Sequence, residues 1–263
     1  MNFIDIHCHV YPDAIARKAA DNIRAFYQIG DDMDGTPEML LNRGREAGIN
    51  RFVILPVAVK PEQVRSINDF AASQGRLHPE FIPFGTVHPA MEDMAGEVDR
   101  MAQLGLLGIK LHPDCQHFAI DDPRLFPLYE QIQEKIPILF HMGDRRFDHS
   151  HPARLRRVLE NFPRLEAVAA HFGGYSMYQA AREHLESTNC LMDVSSSLMF
   201  MPKGVAERYI NHYGAERLAF GTDYPVWDPV KEVQRLLRLD LKPEQIEQIA
   251  WKTTARLLKL EKI

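Results

Sequence analysis

Cysteine is scarce in this chain of 263 residues: Cys8, Cys115 and Cys190 are scattered and odd in number. That argues against a disulfide framework and fits a reducing compartment. Long apolar runs are missing as well. Stretches such as Phe52 to Val59 fall far short of the ~20 residues a membrane-crossing helix needs. Neither sign of charge dominates: 31 Lys and Arg against 36 Asp and Glu leave a formal net charge of -5, with no long basic run to grip nucleic acid. Arg154, Arg156 and Arg157 read as the solvated face of a helix. No apolar stretch behind a basic start precedes the first strand, so no targeting leader is expected and a soluble cytoplasmic protein is. Low-complexity linkers are absent too, which leaves one domain over residues 1–263 as the expected organisation.

What is there is alternation. Eight short apolar or β-branched runs stand out at Phe3–Ile6, Arg51–Leu55, Phe81–Val87, Leu106–Leu111, Ile138–Phe140, Glu166–Ala170, Leu191–Val194 and Leu218–Phe220. Near-continuous apolar runs of this length suit strands covered on both faces of a parallel sheet. Stretches with helical spacing lie between them. Pro37 opens one that stops near Gly48, Pro61 opens another toward Gly75, and Pro123 and Pro152 open two more. Val230 to Leu239 reads as helix. Pro243 begins a last amphipathic helix with Ile246, Ile249, Ala250, Leu257 and Leu258 on its stripe. Hydrophobic residues at 45% are enough to fill one large core. The fold class expected is α/β, a single-domain (β/α)8 TIM barrel with an additional C-terminal helix. The alternative is a doubly wound open sheet; against it, the first strand is followed by His-Cys-His and not by a glycine-rich phosphate turn.

The histidines carry the chemistry. In Asp5-Ile6-His7-Cys8-His9, strand alternation points His7 and His9 the same way, so both can grip one ion, while Cys8 faces the helices. Alone the motif is weak, because 12 histidines in this chain give about half a His-x-His pair by chance. Context strengthens it. His88 ends the third run, Lys110 and His112 the fourth, His141 the fifth, His171 the sixth and Asp223 the eighth. In a barrel such exits gather at one mouth, where catalytic residues sit. Imidazole nitrogens with one carboxylate are the ligand set Zn²⁺ favours when a position stays open. A single strand-end histidine is more often structural. His88, His78, His184 and His212 keep that reading.

These residues make the chain resemble the amidohydrolase superfamily, in its amidohydrolase-related branch, which includes aminocarboxymuconate-semialdehyde decarboxylase and the aromatic-acid decarboxylases. The resemblance runs from His-x-His to Thr254-Ala255-Arg256-Leu257-Leu258. Its most specific pieces are Gly-Thr-Asp-Tyr-Pro around Asp223 and His-Phe-Gly-Gly around His171. It implies His7, His9, His141 and Asp223 as metal ligands, and Asp223 and His171 as catalytic groups. Some subgroups bridge two metals with a carbamylated strand-four lysine, the place of Lys110. The branch resembled holds one, so one divalent ion is expected, Zn²⁺ with Mn²⁺ as the alternative.

Substrates in that branch are often small acids, for which Lys110, His112, Arg145 and Arg146 are candidate anchors; a guanidinium takes a carboxylate through two parallel hydrogen bonds. Hydrolysis through a metal-activated water is expected ahead of non-oxidative decarboxylation. A non-catalytic barrel clamped by its ion is disfavoured, since structural zinc sites are closed and usually built from cysteine. The expected partner is a small-molecule substrate, with no nucleic acid and no membrane; a homodimer is left open.

Overall fold

The computed structural model describes residues 1–260. Its core falls into two compact units, one formed by residues 1–54, 78–82 and the described residues from 194 on, the other by 55–77 and 83–193.

In the first unit, β1 (Ile4–Cys8) runs parallel to β2 (Arg51–Ile54), with Ile4 opposite Arg51 and Cys8 opposite Ile54. The order in this sheet is β1-β2-β3, with β3 at Phe81–Pro83. The register of β1 on β2 shifts between Asp5 and Cys8. β1 extends two residues beyond the expected run, so His7 lies inside the strand and His9 just past it. On its other side, Ile6 donates to the Phe220 carbonyl (2.9 Å) and His9 to that of Tyr224 (2.6 Å), which binds β1 to the segment leaving β8 (Leu218–Ala219). The helix Pro37–Ala47 shows how the sequence sets its ends: Thr36 caps it by accepting from Met39 N. Gly48 closes it at φ 76, where a side chain is strained.

The last helix of this unit is not uniform. It runs as α over Pro243–Glu247, as π over Gln248–Lys252, and as α again over Thr253–Leu257. Thr253 N reaches back five residues to Gln248 O, and the Ile249 carbonyl accepts instead from Phe220 N at 2.8 Å.

In the second unit, β4 (Ile109–Leu111), β5 (Ile138–Phe140), β6 (Ala167–Ala169) and β7 (Leu191–Asp193) lie side by side and parallel. Almost every strand residue is buried, which is why the runs read as continuously apolar. Helices Val64–Leu77, Met94–Gln103, Phe126–Ile132, Pro152–Asn161 and Tyr178–Leu185 follow or precede these strands. The first is entered through a 3-10 turn at Pro61–Gln63 and continues past Gly75 to Leu77. Among the described residues no helix is long and apolar enough to cross a membrane.

Candidate metal and catalytic site

In the first unit three side chains converge. His7 on β1 and His9 just past its end bring their Nε2 atoms within 3.2 Å. Asp223, from the β8 exit, places Oδ1 3.4 Å from His7 Nε2 and 3.6 Å from His9 Nε2. The carboxylate contacts are too long for good hydrogen bonds. All three spacings are what donor atoms show when each stands ~2 Å from one common ion. The residues present therefore fit a divalent cation.

The local backbone is held for this purpose. Asp5, fully buried beneath, accepts from His7 N (3.0 Å), Thr222 N (2.9 Å) and Thr222 Oγ1 (2.6 Å), clamping β1 to the β8 exit. Burial pushes its carboxyl up to about 6 against those hydrogen bonds. Asp223 sits at φ 60, a left-handed conformation rare for a residue with a side chain, and its N–H donates to the His7 carbonyl at 2.7 Å. Gly221 allows the approach: a Cβ there would stand 2.9 Å from His7 Cβ and 3.2 Å from Ser195 Cβ. Ser195 Oγ lies 3.2 Å from His7 Nδ1, Ser196 Oγ donates to Asp223 Oδ2, and Trp227 Nε1 donates to Ser196 Oγ at 2.9 Å.

In the second unit, His141 and His171 leave β5 and β6 with His141 Nδ1 3.1 Å from His171 Nε2, their rings edge to face. His171 is also left-handed, at φ 61, and its N–H donates to Asp193 Oδ1 at 3.1 Å. Behind His141 lies Asp114, whose Oδ2 accepts from Ser150 Oγ (2.6 Å) and stands 3.7 Å from His141 Nε2. Burial pushes the Asp114 carboxyl up to about 6.

His112, Asp114 and His141 also offer three donor atoms close together. Here the rings disagree with the distances. His112 stacks on His141 at 3.9 Å with 9° between planes. A ring-nitrogen lone pair lies in the plane of its ring, so two parallel stacked imidazoles cannot both aim at one ion. His112 is also engaged by the backbone. Its Nδ1 accepts from Cys115 N (3.3 Å) and caps the short helix Pro113–Gln116.

The candidate anchors are placed as follows. Lys110 is fully buried at the centre of β4. Arg145 is exposed. Arg146 spans the buried Asp144 carboxylate with Nε to Oδ1 (3.0 Å) and Nη2 to Oδ2 (2.7 Å). Sequence reasoning singled out none of Ser195, Ser196, Trp227 or Asp114. The one available signal was Ser195-Ser196-Ser197 at the exit of β7, a strand end without a histidine.

Eight βα strands with His-x-His on the first and a left-handed aspartate after the eighth define a class, the metal-dependent hydrolases and carboxy-lyases built on a barrel. More narrowly, the amidohydrolase family model matches residues 4–260, and the chain belongs to that family. Among solved structures it is similar to a TIM-barrel protein from Bordetella bronchiseptica, at 22% identity over 98% of this chain and 99% of that one, with a TM-score of 0.81. A dihydroxybenzoic acid decarboxylase from a Polaromonas species, solved with manganese and the inhibitor 2-nitroresorcinol, gives 17% identity, 100% and 98% coverage and 0.78. A 5-carboxyvanillate decarboxylase from Sphingomonas paucimobilis gives 19%, 98% and 99%, and 0.72. At these identities the likeness establishes the fold, the (β/α)8 barrel, and family members bind a divalent metal.

Proposed function

We propose that the chain is a metal-dependent hydrolase of a small carboxylated substrate. It holds one divalent ion, Zn²⁺ ahead of Mn²⁺, through His7, His9, His141 and Asp223. When bound, the ion lowers the pKa of water toward ~7 and polarises the scissile carbonyl. Asp223 takes the proton of the attacking water and passes it to the leaving group. His171 donates toward the oxygen on which charge develops. Lys110, His112, Arg145 and Arg146 are the candidates for holding the substrate carboxylate. The three scattered cysteines support a reducing, cytoplasmic setting.

The observation that carries this reading is the spacing of His7 Nε2, His9 Nε2 and Asp223 Oδ1, 3.2–3.6 Å apart, the spacing of donors around one ion, with a carboxylate among them that can also take a proton. The second reading, a non-oxidative carboxy-lyase of a small or aromatic acid, is supported by the carboxyvanillate and dihydroxybenzoate decarboxylases that share the fold.

The two readings separate in ¹⁸O water with the metal-loaded protein, screened against carboxylated lactones, amides and aromatic acids. Hydrolysis puts one ¹⁸O into the product acid. Decarboxylation releases CO₂ and leaves the product unlabelled, and that outcome would replace the first reading. His171→Ala is expected to keep its metal and lose about 10²–10⁴-fold in turnover.

A further inference from the structure

The polarity of the hydrogen bonds around Asp223 can be assigned without seeing a hydrogen. An indole N–H only donates, so at 2.9 Å from Trp227 Nε1 the Ser196 hydroxyl oxygen is an acceptor. Its single hydrogen is therefore the one given to Asp223 Oδ2. With Oδ2 engaged, Oδ1 is the oxygen that faces His7 and His9. At His7 the polarity follows from the metal reading instead: Nε2 needs its lone pair to meet an ion, so Nδ1 carries the hydrogen and Ser195 Oγ, 3.2 Å away, accepts it. The turn carrying both serines is itself fixed: Ser197 Oγ donates to Ser195 O at 2.9 Å, and Ser196 stands in the left-handed region at φ 47. All three serines are buried. Serine at three consecutive buried positions is costly unless each hydroxyl is used, and here each is.

We infer that Ser195 and Ser196, with Trp227 behind them, are positioning residues that fix which atom of His7 and which oxygen of Asp223 meets the ion. This rests on the reading of His7, His9 and Asp223 as metal ligands. Ser196 acts through Asp223, and Ser195 acts through His7.

The test uses the full chain with Trp251→Phe. The sequence holds two tryptophans, so emission then reports on Trp227. Zn²⁺ affinity is measured by competition with a chelator, and the coordination sphere by the visible spectrum of the Co²⁺ form. Ser196→Ala is expected to bind Zn²⁺ about 10–100-fold more weakly, the usual loss when an outer partner of a ligand is removed. Its Co²⁺ spectrum should change as Asp223 turns, and Trp227 emission should stop responding to the ion. Ser195→Ala should lose roughly tenfold.

Trp227→Phe covers the case in which Ser196→Ala does not fold: it leaves the serine in place but its hydrogen undirected, and affinity should still fall. Parent affinity in both Ser196→Ala and Trp227→Phe overturns the inference alone. A parent protein that takes up neither Zn²⁺ nor Co²⁺ overturns the metal reading beneath it.

Discussion

In the first unit, His7 and His9 point their Nε2 atoms at a shared space with Asp223 Oδ1, all within 3.2–3.6 Å. In the second, His112 and His141 lie flat on one another, 3.9 Å apart, beside a buried Asp114. Counted by residue type and proximity, the two His-His-Asp groups are the same. What separates them is where the ring planes point and what the second nitrogen does. His7 Nδ1 stands 3.2 Å from a serine hydroxyl and leaves Nε2 for the shared space, whereas His112 Nδ1 is spent on a helix cap. The lesson is that ligand geometry is a matter of direction: two stacked rings cannot share one ion, so no more than one of this pair can serve as its ligand.

The largest expected effect tests that contrast directly. His7→Ala with His9→Ala should abolish tight binding, a loss of more than ~10³-fold in Zn²⁺ affinity, while His112→Ala keeps the parent stoichiometry of about one ion per chain in elemental analysis. Equal loss in both would break the comparison. Next in size is Gly221→Ala. Its Cβ meets the backbone-linked Cβ atoms of His7 and Ser195, which cannot swing aside. Overpacking of this kind costs about 1–3 kcal/mol, a fall of several degrees in the Tm of metal-free protein.

A smaller effect comes from Glu232, also in the first unit, whose carboxyl burial pushes up to about 8 despite the Arg235 guanidinium beside it. The folded protein thus holds this proton more tightly than the unfolded chain, whose glutamates titrate near 4.5. That contribution to stability is complete below the unfolded value and is lost as pH rises through about 8. Glu232→Gln removes the dependence, so the Tm of the parent should decline relative to the variant between acidic and alkaline pH. A constant difference would show that Glu232 is already ionised in the fold. The smallest effect is the helix cap: His112→Ala should cost about 1 kcal/mol in thermal unfolding and nothing in metal affinity.

Much of this architecture could be read from residues alone. Seven of the eight strands fall within their expected runs and β1 overlaps its own, because a doubly covered strand has to be apolar throughout. Pro37 and Gly48 mark their helix well, since each acts through its own φ. Gly75 misled: it lies inside a helix that continues to Leu77. His7, His9 and Asp223 were legible because strand alternation and strand exits are local facts. Ser195, Ser196 and Trp227 were not, because a serine signals nothing until the tertiary fold brings a donor and an acceptor to its hydroxyl. The break in the last helix was equally hidden. Ile249, Ala250, Thr253, Thr254 and Leu257 are all buried, and their spacing suits a regular helix as readily as an interrupted one.

That break lets the end of the chain absorb one extra residue. Each residue of a regular helix turns the following ones by about 100°, and the wider π turn takes up that extra rotation. Thr253 N passes over Ile249 O to reach Gln248 O, and the carbonyl it skips holds Phe220, three residues before Asp223. Removing a single residue between Gln248 and Lys252 would restore the shorter bond and withdraw that carbonyl from Phe220. Thr253, Thr254 and Leu257 would keep the face they now bury, since the π turn already compensates for its extra residue. The length of this segment therefore counts for more than its composition. A substitution there is a local matter, while a deletion would be felt along the strand that delivers the carboxylate.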